Sequence, residues 1–143
     1  MSVINQPVPA PANLGAADTA NKNGVLIESA VLRAIAAYNS DETHNFNALG
    51  IDIFVVTTTL TGTATVTVKL QKKDPIGGTW VDIPGATTAA IATATTTGLT
   101  LYPGIAETAN VSVSDHLGLI WRAVATVAND TATFSVNGVY LGG

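Results

Sequence analysis

Residues 51–70 read Ile-Asp-Ile-Phe-Val-Val-Thr-Thr-Thr-Leu-Thr-Gly-Thr-Ala-Thr-Val-Thr-Val-Lys-Leu. In the second half, Ala64, Val66, Val68 and Leu70 alternate with Thr63, Thr65, Thr67 and Lys69. Side chains along a β-strand point to opposite faces in turn, so this is a strand with one face in a core and one in water. The preceding stretch, residues 49–60, is apolar on both faces around Ile53, Phe54, Val55 and Val56. That predicts a central strand covered on both sides. Gly62 turns one strand into the next.

The pattern continues towards the C-terminus. Asp74-Pro75-Ile76-Gly77-Gly78 is a turn, because proline presets φ and glycine accepts positive φ. The chain returns through residues 79–83 as a hairpin, which Pro84-Gly85 ends. Residues 86–97, mostly Ala and Thr, hold few large side chains and specify register weakly. A strand at 98–102 sets Leu99 beside Leu101. Leu119, Trp121, Ala123, Ala125 and Val127 then share one face of another. Asn129-Asp130 supplies a tight turn. Ala132, Phe134, Val136 and Tyr140 face inward after it, and Gly138 marks a bulge or irregularity.

Towards the N-terminus, residues 39–48 form a polar loop. Residues 25–38 read as one strand broken near Ser29. The alternative there is a helix with Ile27, Val31, Ile35 and Tyr38 on one face. The count is about seven to nine strands, with turn signals at sandwich spacing and no crossover helix. The fold class is all-β: an antiparallel β-sandwich, for which jelly-roll and immunoglobulin-like topologies fit equally.

Residues 1–24 differ from the rest. Pro7, Pro9 and Pro11 alternate with Val8, Ala10 and Ala12, which favours an extended backbone without amide donors. We expect an extended N-terminal arm at 1–24 and a single sandwich domain at 25–143. As a protein-contact arm it would use Val3, Ile4, Pro7, Val8, Pro9, Pro11 and Leu14. A disordered tail is the alternative.

Composition narrows the function. The 143 residues suit one domain, and there is no cysteine, so disulfides and thiolate chemistry are excluded. Charged residues make up 11%, against about 25% in an average protein. Threonine, with 21 residues, suits the pleated surface of a sheet. A weakly charged surface favours contact with other proteins, since little charge has to be desolvated. The net charge is −4, and the one basic pair, Lys72-Lys73, is followed by Asp74. No nucleic-acid partner is expected. No run approaches the ~20 apolar residues of a membrane helix, and no secretory leader is visible.

Chemistry has little foothold. His44 and His116 lie far apart without further ligands at metal-binding spacing, so neither a metal nor a cofactor is expected. Asp41 and Glu42 lack patterned companions for calcium. Ser112, Ser114, Asp115 and His116 sit on one loop, where turn and capping roles are expected over a catalytic triad. Asp52, an acid in an apolar strand, would face an edge or pair with Arg122 or Lys69. Trp80, Trp121, Tyr38, Tyr102 and Tyr140 would form either core or a sugar-binding platform, with Trp121 the clearest core residue. No enzyme is expected.

Leu70-Gln-Lys-Lys-Asp-Pro-Ile-Gly-Gly-Thr-Trp-Val-Asp-Ile83 resembles a family of small structural proteins of tailed bacteriophages and prophages. Tyr38-Asn39-Ser40-Asp41 with Asn45-Phe46-Asn47 extends the resemblance. So do Tyr102-Pro103-Gly104-Ile105 with Thr108-Ala109-Asn110, and Val113-Ser114-Asp115-His116-Leu117 leading to Trp121-Arg122-Ala123-Val124. Phe134-Ser135-Val136 completes it, over roughly residues 33–141. The resemblance implies a virion component, a capsid cement or decoration protein bound to the major capsid protein. It also implies a homo-oligomer, trimeric in many members, on the outer capsid surface. The arm lies outside it. The alternative is a carbohydrate-binding or adhesive domain of a tail fibre or cell surface.

Overall fold

The alternation at 63–70 becomes a strand whose inner row, Val66, Val68 and Leu70, is fully buried. The computed structural model describes residues 21–142 and holds ten strands and no helix in that span. They are β1 (Gly24–Ile27), β2 (Ala36–Asn39), β3 (Thr43–His44), β4 (Gly50–Leu60) and β5 (Thr65–Lys73). Then come β6 (Trp80–Thr87), β7 (Thr95–Leu101), β8 (Ser112–Val113), β9 (Ile120–Ala128) and β10 (Ala132–Leu141).

Two sheets stack face to face. One runs β1-β10-β4-β7-β8, the other β2-β9-β5-β6 with β3 also on β9. Ladders are antiparallel except the two-residue pairing of β7 with β8. Set β3 and β8 aside, and the first strand pairs the last, the second the seventh, the third the sixth and the fourth the fifth. This is a long hairpin rolled on itself, the jelly-roll arrangement, and not the immunoglobulin-like one. Inner rows of both sheets meet in a core built on Trp121, Phe134, Ile51, Ile53, Leu70, Leu99 and Leu101.

Several local expectations change. The segment 25–38 is neither one strand nor a helix. It forms β1 and β2, one in each sheet, joined by residues 28–35 that cross between them. Arg33 pairs with Ala132 through both backbone hydrogen bonds (2.7 and 3.1 Å), and Leu32 turns the chain at φ 45°. Val31 and Ile35, which suggested a helix face, are exposed. β4 is central as expected but covered on one face only; Phe54 and Thr58 are exposed on the other.

β6 does not stop at Pro84-Gly85. It continues to Thr87, with residues 83–86 arching out opposite Leu70 between the pairs Lys69–Thr87 and Gln71–Asp82. An edge strand tolerates a proline, and Gly85 takes φ 75° there. The low-complexity segment is pinned at two points. Ile91 bridges Val66 (2.8 and 3.0 Å), and the Thr88 hydroxyl accepts from the Val68 amide (3.1 Å). Gly138 is itself in register; shifts lie between Thr133 and Phe134 against β4, and between Val25 and Ile27 of β1, close beside Gly138. A Cβ on Gly138 would sit 3.1 Å from both Ile51 and Leu26, so its bareness makes room for the core. Leu119, expected on the inner face, is exposed ahead of β9.

The described end of the arm is tied to the sandwich. Asn21 Nδ2 donates to Asn45 Oδ1 (3.0 Å) and Asn47 Oδ1 (3.1 Å), and the Phe46 amide donates to Asn21 Oδ1 (2.8 Å). The Tyr140 amide donates to Asn23 Oδ1 (2.8 Å). Val3, Ile4, Pro7, Val8, Pro9, Pro11 and Leu14 lie outside the described residues.

Candidate interaction surface

The outer faces of the two sheets differ in chemistry. On the β2-β9-β5-β6 sheet, one end of the outer face carries charged residues satisfied by one another, while the row Ala37-Thr126-Thr67 is uncharged. Lys69 Nζ lies 3.1 Å from Asp82, Gln71 Nε2 donates to Asp82 (2.8 Å), and Arg122 Nε donates to Gln71 Oε1 (2.9 Å). The Arg122 guanidinium stacks 4.2 Å from the centre of the Trp80 ring. Lys73 Nζ reaches Glu42 at 2.7 Å. These contacts have an electrostatic signature. The Gln71 amide first, then Lys69, lowers the Asp82 pKa; hydrogen bonding from Lys73 lowers that of Glu42.

The outer face of the other sheet has no such network among the described residues. Its register lines up Val25, Asn137, Phe54 and Gly98 across β1, β10, β4 and β7. The next rows are Val139-Asp52-Thr100 and Ser135-Val56-Thr96. Phe54 and Val139 are each 38% exposed. Gly98, opposite Phe54, has open space where a Cβ would stand. Asp52 is the one charged strand residue on this face among the described residues. It neither faces an edge nor pairs with Arg122 or Lys69, which belong to the opposite sheet. Its carboxylate accepts from the Thr100 hydroxyl at 2.6 Å.

The other candidate groups are not gathered into a site. The Ser112 hydroxyl donates to the Ala106 carbonyl (2.8 Å), and the Ser114 hydroxyl accepts from the Gly104 amide (2.9 Å). Both brace the loop. Asp115 Oδ1 lies 3.2 Å from His116 Nδ1 and accepts from the His116 amide. His44 stands 3.7 Å from Glu42, which is already held by Lys73. No three His, Asp or Glu side chains cluster at metal-binding range among the described residues.

The aromatic set is divided. Trp121 is fully buried and meets Tyr140 edge-on at 5.9 Å; Tyr38 meets Phe134 at 6.2 Å. Burial raises the Tyr140 pKa. Trp80 stands on the outer face of the charged sheet under Arg122. These rings do not form a shared platform.

Sequence reasoning assigned Phe54 to a doubly covered strand and so missed its exposure. The signal was Gly98 and the threonines of β7, but it is readable only once the β4–β7 register is known.

No protein-family model, curated protein or solved structure matches this chain.

Proposed function

We propose that this chain is a non-enzymatic structural protein of a tailed-bacteriophage virion. As a capsid cement or decoration protein it binds across neighbouring major capsid protein subunits on the outer surface of the head. The sequence resemblance over residues 33–141 supplies the setting. The observation that carries the mechanism is the outer face around Phe54: nearly uncharged, and cheap to desolvate. Its single acid already has a hydrogen-bond partner in Thr100. An aromatic ring at the centre of such a face is the usual anchor of a protein interface. A homo-oligomer, with the trimer favoured, would multiply modest contacts through effective concentration.

The test uses purified particles and the isolated protein. Phe54→Asp and Val139→Asp should each lower particle binding at least tenfold, the scale of a central interface residue (about 1.4 kcal/mol or more). Thr67→Asp, on the opposite sheet, should bind as the parent does. Absence of the chain from intact particles by mass spectrometry, or full binding by both face variants, would refute the reading.

A further inference from the structure

The outer face around Phe54 ends at a strand edge that is only half covered. β8 pairs with β7 at Thr100 and Leu101 alone. Just before β8, Asn110 at φ 65° turns the chain off that edge, and its Nδ2 donates to the Thr87 carbonyl (3.2 Å). The Thr100 amide donates to the Val111 carbonyl (2.9 Å) and the Tyr102 amide to that of Val113 (3.0 Å). Even-numbered residues of β7 thus aim their backbone groups away from β4, because the two directions alternate along a strand. Thr96 and Gly98 aim the same way. Their N–H and C=O groups meet no partner among the described residues.

Natural edge strands are guarded by charge, proline or a bulge. β6 has Pro84 and the arch at 83–86, whereas Thr95-Thr96-Thr97-Gly98 has none of these. Beside this bare stretch runs an open groove of about 410 Å³, and no charged residue lines it. Ala89, Ala90, Ala92 and Ala109 contribute small side chains, which let another backbone come close. The groove is held in shape. Ile91 is bridged to Val66, and Thr57 fixes the start of β7. Two copies cannot pair these edges in full, because β8 of either one stands in the way. The space suits one extended chain.

We infer that the bare half of the β7 edge takes an extended, uncharged segment of the partner protein as an added strand. The inference rests on the capsid reading for the identity of the partner and adds how that partner is held. Gly98 closes the row Val25-Asn137-Phe54-Gly98, so a protein seated over Phe54 comes up against the backbone groups of Thr96 and Gly98. Contact there strips their water, and a buried N–H or C=O left without a hydrogen bond is costly. A strand supplies donors and acceptors at the matching spacing, and its main-chain bonds do not depend on its side chains. The uncharged lining selects an uncharged segment, since a charge brought into the groove would lose water and find no counter-charge.

Amide hydrogen exchange reads this edge directly and needs no variant. In the free protein Thr96 and Gly98 should exchange fast, whatever the protein concentration, while Leu99 and Leu101 in the β4 ladder stay protected. On purified particles the Thr96 and Gly98 rates should fall at least ~tenfold. Thr96→Pro deletes one outward N–H and leaves the β4 ladder whole. It should bind particles at least ~fivefold more weakly, the loss of about one hydrogen bond. Suppose the protein binds particles and Phe54→Asp weakens that binding, yet Thr96 and Gly98 exchange as in the free protein. That result overturns this inference and spares the capsid reading. Undiminished binding by Thr96→Pro does the same. Slow exchange in the free protein, or slowing as it is concentrated, would also overturn it, because the chain itself or a second copy then fills the edge. No binding to particles, or full binding by Phe54→Asp and Val139→Asp, removes the capsid reading and this inference with it.

Discussion

Thr57 shows how much one hydroxyl decides. It is buried at the end of the inner row of β4, shares its one proton between the carbonyls of Thr93 (2.8 Å) and Thr95 (3.0 Å), and accepts from the Thr95 amide (3.1 Å). That fixes where the low-complexity segment enters β7. Thr57→Val keeps the shape and leaves Thr95 N–H and Thr93 C=O without a partner. It should cost about 1–3 kcal/mol in urea unfolding, with Thr57→Ser near the parent. The sequence shows three consecutive threonines, and nothing in them tells which one is buried. The inner row Ile51, Ile53 and Val55 runs on to Thr57, and the register shift against β10 just beyond it, at Thr58, ends that row. Trp121 is the converse case. Its place in an alternating row was plain. Its indole Nε1 nonetheless closes no well-formed hydrogen bond among the described residues, although its N–H still partly counters the rise at Tyr140.

At the scale of elements, alternation located the inner rows of β5, β9 and β10, because burial on one face leaves a period of two in the sequence. It did not locate the crossing at 28–35. A chain that changes sheets puts its side chains on no single face, so Val31 and Ile35 carried no usable period. It also misjudged Pro84-Gly85 as a stop, since an arch and a turn use the same residues. The β9–β10 turn was legible and is testable. Asn129 adopts φ 72°, a region that asparagine tolerates and β-branched residues resist. Asn129→Val should cost about 1–2 kcal/mol, and Asn129→Gly almost nothing, by thermal or urea unfolding. Equal effects of the two would show that the turn relaxes out of this conformation.

The whole molecule has a pH signature set by groups at both limits. Asp82, Glu42 and Asp74 all have lowered pKa values; in Asp74 the cause is hydrogen bonding from the Ile76 and Gly77 amides. Stability from a lowered carboxyl is present above its unfolded pKa of about 4 and is lost as pH falls through the folded value. Tyr140 has the opposite sign: burial raises it, so its contribution is complete below pH ~10 and lost as pH rises through the folded value. Unfolding free energy against pH should therefore fall at both ends, and Tyr140→Phe should flatten the alkaline side. An unchanged alkaline limb in that variant would place its origin elsewhere. The two-layer architecture was readable from strand count and turn spacing. The choice of jelly roll was not, because it depends on which distant strands pair, and side-chain periods do not encode that. The weakly charged outer face around Phe54 was equally hidden: its rows come from four strands scattered through the chain.

The pairing of β1 with β10, and of Arg33 with Ala132, has a temporal meaning. During synthesis the partner of the first described strand emerges after all the others, so β1 has no seat until the sandwich is nearly complete. Hairpins such as β5–β6 form early, from neighbours in the chain, while the flank carrying Arg33 closes late and slowly. β1 thus stays without its ladder through most of the making of the sandwich.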